Sequence, residues 1–156
     1  MDVAVTRQMV EIRQATIADL DNLSPLFDAY RQFYREGSDP EGSRRFLLAR
    51  FENNQSVIFI AFHEASPIGF VQLYPTFSST AMARIFVLND LFVSPEARCR
   101  GARAALLRRA AEYGRAVGAL RLSLRTELTN TTARRLYESL GWKRDDVFCA
   151  YQLNLT

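Results

Sequence analysis

Residues 91–107 read Leu-Phe-Val-Ser-Pro-Glu-Ala-Arg-Cys-Arg-Gly-Ala-Arg-Ala-Ala-Leu-Leu, and this stretch does most to decide the fold. The apolar run that ends at Val93 predicts a buried strand, and Ser94-Pro95 ends it. An arginine-rich turn follows, and we expect a helix to start at Gly101. The first amides of a helix have no partner within the helix, and the helix dipole adds positive charge there. The stretch therefore predicts a strand–turn–helix that binds phosphate.

The residue types of the turn favour the same interpretation. Gly101 has no side chain to keep a ligand away from the backbone. Arg98 and Arg100 supply positive charge and forked donors that match phosphate oxygens.

Two motifs carry a family resemblance. Leu-Phe-Val, then Arg-x-x-Gly-x-small and a Leu-Leu pair resemble the acetyl-CoA pyrophosphate loop of GNAT N-acetyltransferases. Residues 130–142, Asn-Thr-Thr-Ala-Arg-Arg-Leu-Tyr-Glu-Ser-Leu-Gly-Trp, are similar to the family's Asn-x-x-Ala-x-x-Leu-Tyr-x-x-x-Gly-Phe element, with Trp142 in the aromatic place. The two motifs occur in the expected order, and the resemblance extends over most of the chain. One departure is Arg103, where the family usually has Gly or Ala.

The resemblance implies a fold and an activity. The expected fold is of the α+β (mixed α/β) class: a mostly antiparallel central sheet of about seven strands, flanked by about four helices, in a single domain over residues 1–156. The expected activity is transfer of an acetyl group from acetyl-CoA to a primary amine of a small molecule, by direct attack in a ternary complex. Dimers are common in the family, so the resemblance is compatible with a homodimer, while the sequence leaves the oligomeric state open.

The resemblance also assigns residues to the coenzyme. Backbone amides of the Leu91–Val93 segment would orient the thioester carbonyl, and Asn130 would hydrogen-bond the pantetheine arm, although a plain helix cap also explains it. Tyr137 is the expected catalytic residue, since its phenol would donate a proton to the departing thiolate. The expected acetyl-CoA residues are Leu91, Phe92, Val93, Arg98, Cys99, Arg100, Gly101, Ala102, Arg103, Ala104, Asn130, Ala133 and Tyr137.

The acceptor is expected near an interruption of the long apolar run. Asn89-Asp90 is explained either by a tight turn between two strands or by a bulge in one strand. The resemblance favours the bulge, and Asp90 matches an acidic position that contacts the amine in polyamine-acetylating members. Asn89 stands where those enzymes have Glu, so a water-relayed base is expected there. The predicted substrate-binding residues are Tyr30, Tyr34, Asn89 and Asp90.

Composition limits the other classes of function. Residues 1–90 hold 8 basic and 11 acidic side chains, whereas residues 91–156 hold 12 and 6, which suits a cationic acceptor and an anionic coenzyme. No apolar run reaches the roughly 20 residues of a membrane span, and neither a signal peptide nor a nucleic-acid-binding module is recognisable. Cys99 and Cys149 have no metal-ligand spacing, so we expect no metal and a reduced, cytoplasmic protein.

Two alternative functions remain open from the sequence. One is an acetyltransferase for protein N-termini or lysines. The other is a non-catalytic acyl-CoA-binding protein, in which Arg103 blocks the normal approach of the coenzyme.

Hydrophobic periodicity and capping residues predict the order of the elements. Helices are expected after the Thr16–Asp19 capping box, from Asp39-Pro40, after Gly101 and over 130–140. Strands are expected over 9–14, 57–62, 68–74, 82–93, 120–124 and 147–155.

Overall fold

The computed structural model describes residues 10–98 and 101–156. Within them, four helices and five strands follow one another in the order β, α, α, β, β, β, α, β, α. Short 3-10 helices at Ile17–Asp19 and Pro95–Ala97 precede two of the α-helices. The elements are β1 (Glu11–Gln14), α1 (Leu20–Phe33), α2 (Pro40–Glu52), β2 (Val57–His63), β3 (Ser66–Ser78), β4 (Ala83–Val93), α3 (Ala102–Ala116), β5 (Leu122–Ser123) and α4 (Thr131–Ser139).

The strands form one mixed sheet in the order β1-β2-β3-β4-β5. The first four strands pair antiparallel in turn. Hairpins join β2 to β3 and β3 to β4, whereas α1 and α2 lie between β1 and β2. Strand β5 runs parallel to β4 after the α3 crossover. The continuous apolar run over 57–62 forms β2, which is buried on both faces as its composition predicts.

Two helices cover one face of the sheet. The ring of Phe27 on α1 stacks on Phe46 of α2 at 5.4 Å between centroids and lies 6.1 Å from Phe70 of β3. This packing joins both helices to the central strands. The core on this face comprises Ala15, Leu20, Leu23, Leu26, Phe27, Leu47, Ile58, Ile60, Phe62, Phe70 and Phe92.

Helix α3 covers the opposite face. Its Tyr113 ring meets Phe59 of β2 and Phe86 of β4 edge-on, at 5.5 and 5.7 Å between centroids. Leu106 and Leu107 of the same helix are fully buried. The apolar side of this helix therefore faces the sheet, as expected of an amphipathic helix.

The predicted caps are present. The Thr16 hydroxyl accepts from the Ala18 amide, and the Asp19 carboxylate accepts from the Thr16 amide, which completes the capping box. Asp39 accepts from the Gly42 amide at 2.8 Å, with Pro40 in the first turn of α2.

The expected strand number needs correction. Five strands lie in the described residues, rather than about seven, and β5 is only two residues long. The strand expected over 147–155 is absent, because a strand requires a ladder partner and residues 140–156 form neither helix nor strand. Alternating apolar residues indicate that a segment can pair, but they do not supply the partner.

The chain divides into two compact units, Met1–Arg125 and Thr126–Thr156. The first contains the sheet with α1, α2 and α3, and the second contains α4. No helix of the described residues is both long and apolar enough to cross a bilayer.

Candidate active site

Strand β4 contains a bulge at Asn89. Asp90 pairs with Gln72, but the next pair along β3 is Leu73 with Leu88, so Asn89 has no partner residue opposite it. Asn89 and Asp90 thus form a bulge within one continuous strand, and the tight-turn interpretation is wrong. A bulge bends its strand and re-aims the neighbouring side chains, as it does here for Asp90.

The strand beyond the bulge is paired on one edge only. Among the described residues, β5 pairs with β4 only at Phe86 and Val87. The segment Leu91–Val93 pairs with β3 over Val71–Gly69, which leaves its other edge without a strand partner in the part of the chain that the structure describes. Backbone amides on such an edge are available to a ligand carbonyl.

The Asp90 side chain is buried and is held by amide donors. Gln72 Nε2 donates to Asp90 Oδ2 at 2.6 Å, and Asn89 Nδ2 donates to Oδ1 at 3.0 Å. Gln72 is itself fully buried, and its Oε1 accepts from Ser56 Oγ at 2.7 Å. The Ser56 bond fixes the direction of the Gln72 amide, so its N–H side faces the carboxylate. The resulting chain joins β4 through β3 to the residue before β2.

Two tyrosines lie beside this carboxylate. Burial, then the charge and hydrogen bonding of Asp90, raise the pKa of the Tyr30 hydroxyl above its ordinary value. Burial and the charge of Asp90 raise the pKa of Tyr74 to about 12, and the charge and hydrogen bonding of Arg50 oppose that rise. Both phenols therefore stay protonated at neutral pH and can donate hydrogen bonds.

Tyr30 and Tyr34 occupy the C-terminal part of α1. The ring of Tyr30 is half-buried and lies edge-on to Phe70 and Phe92, at 5.8 and 6.3 Å between centroids. Tyr34 is exposed and meets Tyr30 edge-on at 5.1 Å. Tyr30 is thus partly a core residue, whereas Tyr34 is free to contact a small molecule.

Helix α3 starts at a glycine with a left-handed backbone. Gly101 has a φ of 74° and provides no side-chain cap, so the first amides of α3 are uncapped among the described residues. An added Cβ at Gly101 would meet no atom within 4 Å, so the requirement for glycine comes from backbone conformation and not from crowding by the protein. Uncapped amides at a helix N-terminus fit the pyrophosphate of acetyl-CoA.

The other predicted loop residues differ in their surroundings. Arg98 Nε donates to the Val93 carbonyl at 3.4 Å, and its guanidinium lies 5.5 Å from the centre of the Phe33 ring. Arg103 and Ala104 are partly buried in the first turn of α3, and Ala102 is buried. Cys99 and Arg100 lie outside the described residues.

The second unit contains the other predicted coenzyme residues. The Asn130 side chain accepts from the Ala133 amide at 3.2 Å, so it caps α4 as the simpler interpretation predicted. Tyr137 is partly buried, and its ring lies 6.1 Å from that of Trp142.

The structure thus brings the predicted acceptor-binding residues together beside Leu91–Val93, the last segment of β4. These residues are Tyr30, Tyr34, Asn89 and Asp90. Sequence reasoning missed Ser56, Gln72, Tyr74 and Arg50. A signal existed for Gln72, because an amide inside the apolar run of β3 requires partners when it is buried. The other three reach this site only through the tertiary fold: Ser56 bonds to Gln72, Tyr74 lies near Asp90, and Arg50 hydrogen-bonds Tyr74.

Comparison with known proteins identifies the family. Residues 23–142 match the model of the acetyltransferase (GNAT) family. The chain is 51% identical over 146 residues to the uncharacterized N-acetyltransferase YhfO of Bacillus subtilis (strain 168), covering 94% of this chain and 98% of the relative. The crystal structure of a probable acetyltransferase is 40% identical with a TM-score of 0.89, covering 94% of this chain and 98% of that one.

A more distant structure shares the fold alone. The ribosomal-protein-alanine N-acetyltransferase from Brucella melitensis biovar Abortus 2308 is 19% identical with a TM-score of 0.77, covering 94% of this chain and all of that one. With the family match over 120 of the 156 residues, these likenesses settle the fold class predicted from the two motifs. The chain belongs to the GNAT acetyltransferase family and is an acetyl-CoA-dependent N-acetyltransferase.

Proposed function

We propose that the chain acetylates the primary amine of a small molecule by direct attack in a ternary complex with acetyl-CoA. The observation that carries this proposal is the bulge in β4, which turns a buried carboxylate, Asp90, toward Tyr30 just before Leu91–Val93, a segment whose outer edge has no strand partner among the described residues. Asp90 would hold the ammonium group of the acceptor. The backbone of the segment beyond it would orient the thioester carbonyl.

The coenzyme would bind along the strand–turn–helix. Uncapped amides at the start of α3 would hold its pyrophosphate, with Arg98, Arg100 and Arg103 adding charge. Acetyl-CoA supplies a thioester, whose carbonyl carbon accepts the amine and whose thiolate leaves. Asn130 would contact the pantetheine arm through the amide group that caps α4.

In this mechanism the bound ammonium first loses a proton to solvent through water, because residue 89 is Asn and offers no carboxylate base. The neutral amine then forms a bond to the acetyl carbon, and the carbon–sulfur bond breaks. The Tyr137 hydroxyl donates a proton to the departing thiolate and recovers one from solvent, while the new amide releases its extra proton to water.

The decisive experiment measures release of free coenzyme A with a panel of amines, for the wild type and for Tyr137→Phe. We expect turnover with small primary amines and a loss of kcat of roughly 10²–10⁴-fold in the variant, the usual range for a positioned general acid. Single-turnover rates are the proper measurement, since slow product release hides a chemical defect. Release with none of the small amines would overturn the proposal, and wild-type single-turnover rates in the variant would remove Tyr137 from the mechanism.

A second variant tests the coenzyme assignment. Gly101→Val places a β-branched side chain at a φ of 74°, a conformation that such residues rarely adopt. We expect affinity for acetyl-CoA to be lost, because the first turn of α3 must rearrange. Arg103→Gly is the companion variant: weaker binding would show that Arg103 assists the coenzyme, whereas tighter binding would show that it obstructs. The homodimer stays a prediction, which light scattering tests.

A further inference from the structure

The guanidinium of Arg50 belongs to the same polar patch as the buried carboxylate of Asp90. The α1/α2 face of the sheet is apolar over most of its area, but near the bulge it carries a patch of Ser56, Gln72, Tyr74 and Asp90, with Arg50 from the last turn of α2. Gln72 and Tyr74 lie on the same side of β3, since side chains two residues apart share a face. We call these five residues the acceptor patch.

A backbone turn joins Arg50 to Ser56, another residue of the acceptor patch. Its carbonyl accepts from the Gln55 amide at 3.0 Å, which closes the turn leading from α2 to Ser56. Ser56 then donates to Gln72, which donates to Asp90. Tyr74 is close to both charges, since Asp90 raises its pKa and Arg50 opposes that rise.

The guanidinium of Arg50 has unused hydrogen-bonding capacity. It stacks on the Phe46 ring at 4.3 Å from the centroid. Its Nε is buried and is the one such side-chain atom with no hydrogen-bond partner among the described residues. No carboxylate of the described residues forms an ion pair with it, Asp90 included. Another nitrogen of the same guanidinium hydrogen-bonds the Tyr74 hydroxyl. An arginine whose face is stacked while its Nε remains unpaired can donate from that nitrogen to a carboxylate.

Asp90 and Arg50 are therefore two opposite charges that lie near the same tyrosine without pairing to each other. A ligand that carries both charges would compensate each of them, at the cost of dehydrating its own ends. A diamine would compensate only Asp90, and its second ammonium group would be repelled by the guanidinium. An uncharged alkyl tail would leave Nε of the guanidinium without a partner.

We propose that the acceptor is a primary amine that also carries a carboxylate, with its ammonium group at Asp90 and its carboxylate at Arg50. This inference rests on the proposed function and names the substrate class of that same site. It makes Arg50 a specificity-determining residue that contacts the acceptor without taking part in the acetyl transfer.

The test compares matched acceptors. The probes are ω-aminocarboxylates with two to five methylene groups, their carboxamides, the alkylamines of the same length and the corresponding diamines. Coenzyme A release gives kcat/KM for each. We expect at least one aminocarboxylate to exceed its carboxamide and its diamine by tenfold or more, because only the carboxylate pairs with Arg50.

The variant Arg50→Gln keeps much of the side-chain length and removes the charge. We expect it to raise KM for the preferred aminocarboxylate at least tenfold while leaving kcat/KM for the alkylamine within about twofold, so the alkylamine reports that the variant is folded. Arg45→Gln on the same helix is the control, since Arg45 is exposed and pairs with Glu41 at 3.2 Å. Arg45→Gln should leave kcat/KM unchanged for both the aminocarboxylate and the alkylamine.

The outcomes separate this inference from the proposed function. Turnover of alkylamines or diamines at rates equal to those of the aminocarboxylates would overturn the inference and leave the proposed function standing. An equal loss for both substrates in Arg50→Gln would assign Arg50 a structural role and would also overturn the inference. Absence of coenzyme A release with every probe would overturn both.

Discussion

Two buried aspartates of this protein, Asp28 on α1 and Asp90 on β4, differ in how their charge is compensated. Asp28 accepts from Ser38 Oγ and the Asp39 amide, both at 2.7 Å, and lies 3.7 Å from the Arg31 guanidinium. Asp90 accepts from two amide side chains and forms no ion pair among the described residues.

The difference fits the proposal that Asp28 is a structural carboxylate and Asp90 an acceptor-binding one. The bonds of Asp28 reach from α1 to the segment that starts α2, so its negative charge ties the two helices together. Both carboxylate oxygens of Asp90 also accept hydrogen bonds, but no cation among the described residues forms an ion pair with it. An uncompensated buried charge destabilises a fold, so the ammonium group that we propose binds at Asp90 would compensate this charge.

The largest effect is expected from Asp28→Ala, measured as the free energy of unfolding in urea. The change leaves the Ser38 hydroxyl, the Asp39 amide and Arg31 without their partner, so we expect a loss of about 2–4 kcal/mol. At a temperature where the variant is folded, KM for the amine should be unchanged. A stable variant with impaired amine binding would reverse the roles assigned to the two aspartates.

Asp90→Asn should have the next largest effect, and it concerns binding. Removal of the charge should raise KM for the amine at least tenfold, which corresponds to about 1.4 kcal/mol. KM for acetyl-CoA should change by less than twofold. Steady-state kinetics with each substrate varied in turn measure both values, and equal effects on the two would mean that Asp90 only maintains the bulge.

Gln72→Leu should lower kcat/KM for the amine by a smaller factor, because it weakens the hold on the Asp90 carboxylate. The substitution removes the donor to Asp90 Oδ2 and leaves Asn89 as the one amide side chain that holds the carboxylate, so we expect kcat/KM for the amine to fall several-fold. Ser56→Ala keeps that donor but frees the Gln72 amide, and its effect should be weaker in the same direction. If Ser56→Ala has the larger effect, or if Gln72→Leu alters only stability, orientation of Asp90 is not the role of this chain of hydrogen bonds.

The smallest effect is the pH dependence of stability. Burial alone would raise the pKa of Asp28, but the Asp39 amide, Ser38, Ser43 and Arg31 outweigh it and hold the pKa below its ordinary 3.8. A carboxyl group with a lowered folded-state pKa contributes stability above the unfolded value, and this contribution is lost as the pH falls through the folded value. Wild-type stability should therefore decline below about pH 4.

Urea unfolding between pH 3 and pH 7 measures that decline. Asp28→Asn cannot titrate at this position, so its stability should fall less steeply over the same acid range. Identical slopes for the two proteins would show that Asp28 does not contribute to the acid limb.

The sequence determined the local elements and the family of this protein. The caps at Thr16 and Asp39, the apolar stripe of α3 and the strand ending at Val93 follow from residue periodicity and short-range hydrogen bonding. Such features depend on residues only a few positions apart, so the sequence alone is enough to predict them. The two motifs placed the chain among GNAT acetyltransferases for a similar reason, since each lies within one continuous segment.

Only the tertiary structure decided which strands pair and which side chains share a site. The alternating residues over 147–155 predicted a strand, but pairing depends on a partner, and none is formed. Asn89-Asp90 was compatible with a turn or a bulge until the register with β3 became known. Ser56 and Gln72 are 16 positions apart, Gln72 and Asp90 are 18 apart, and the three meet only through the sheet. Their proximity depends on long-range packing, because no local propensity encodes a contact between residues that many positions separate.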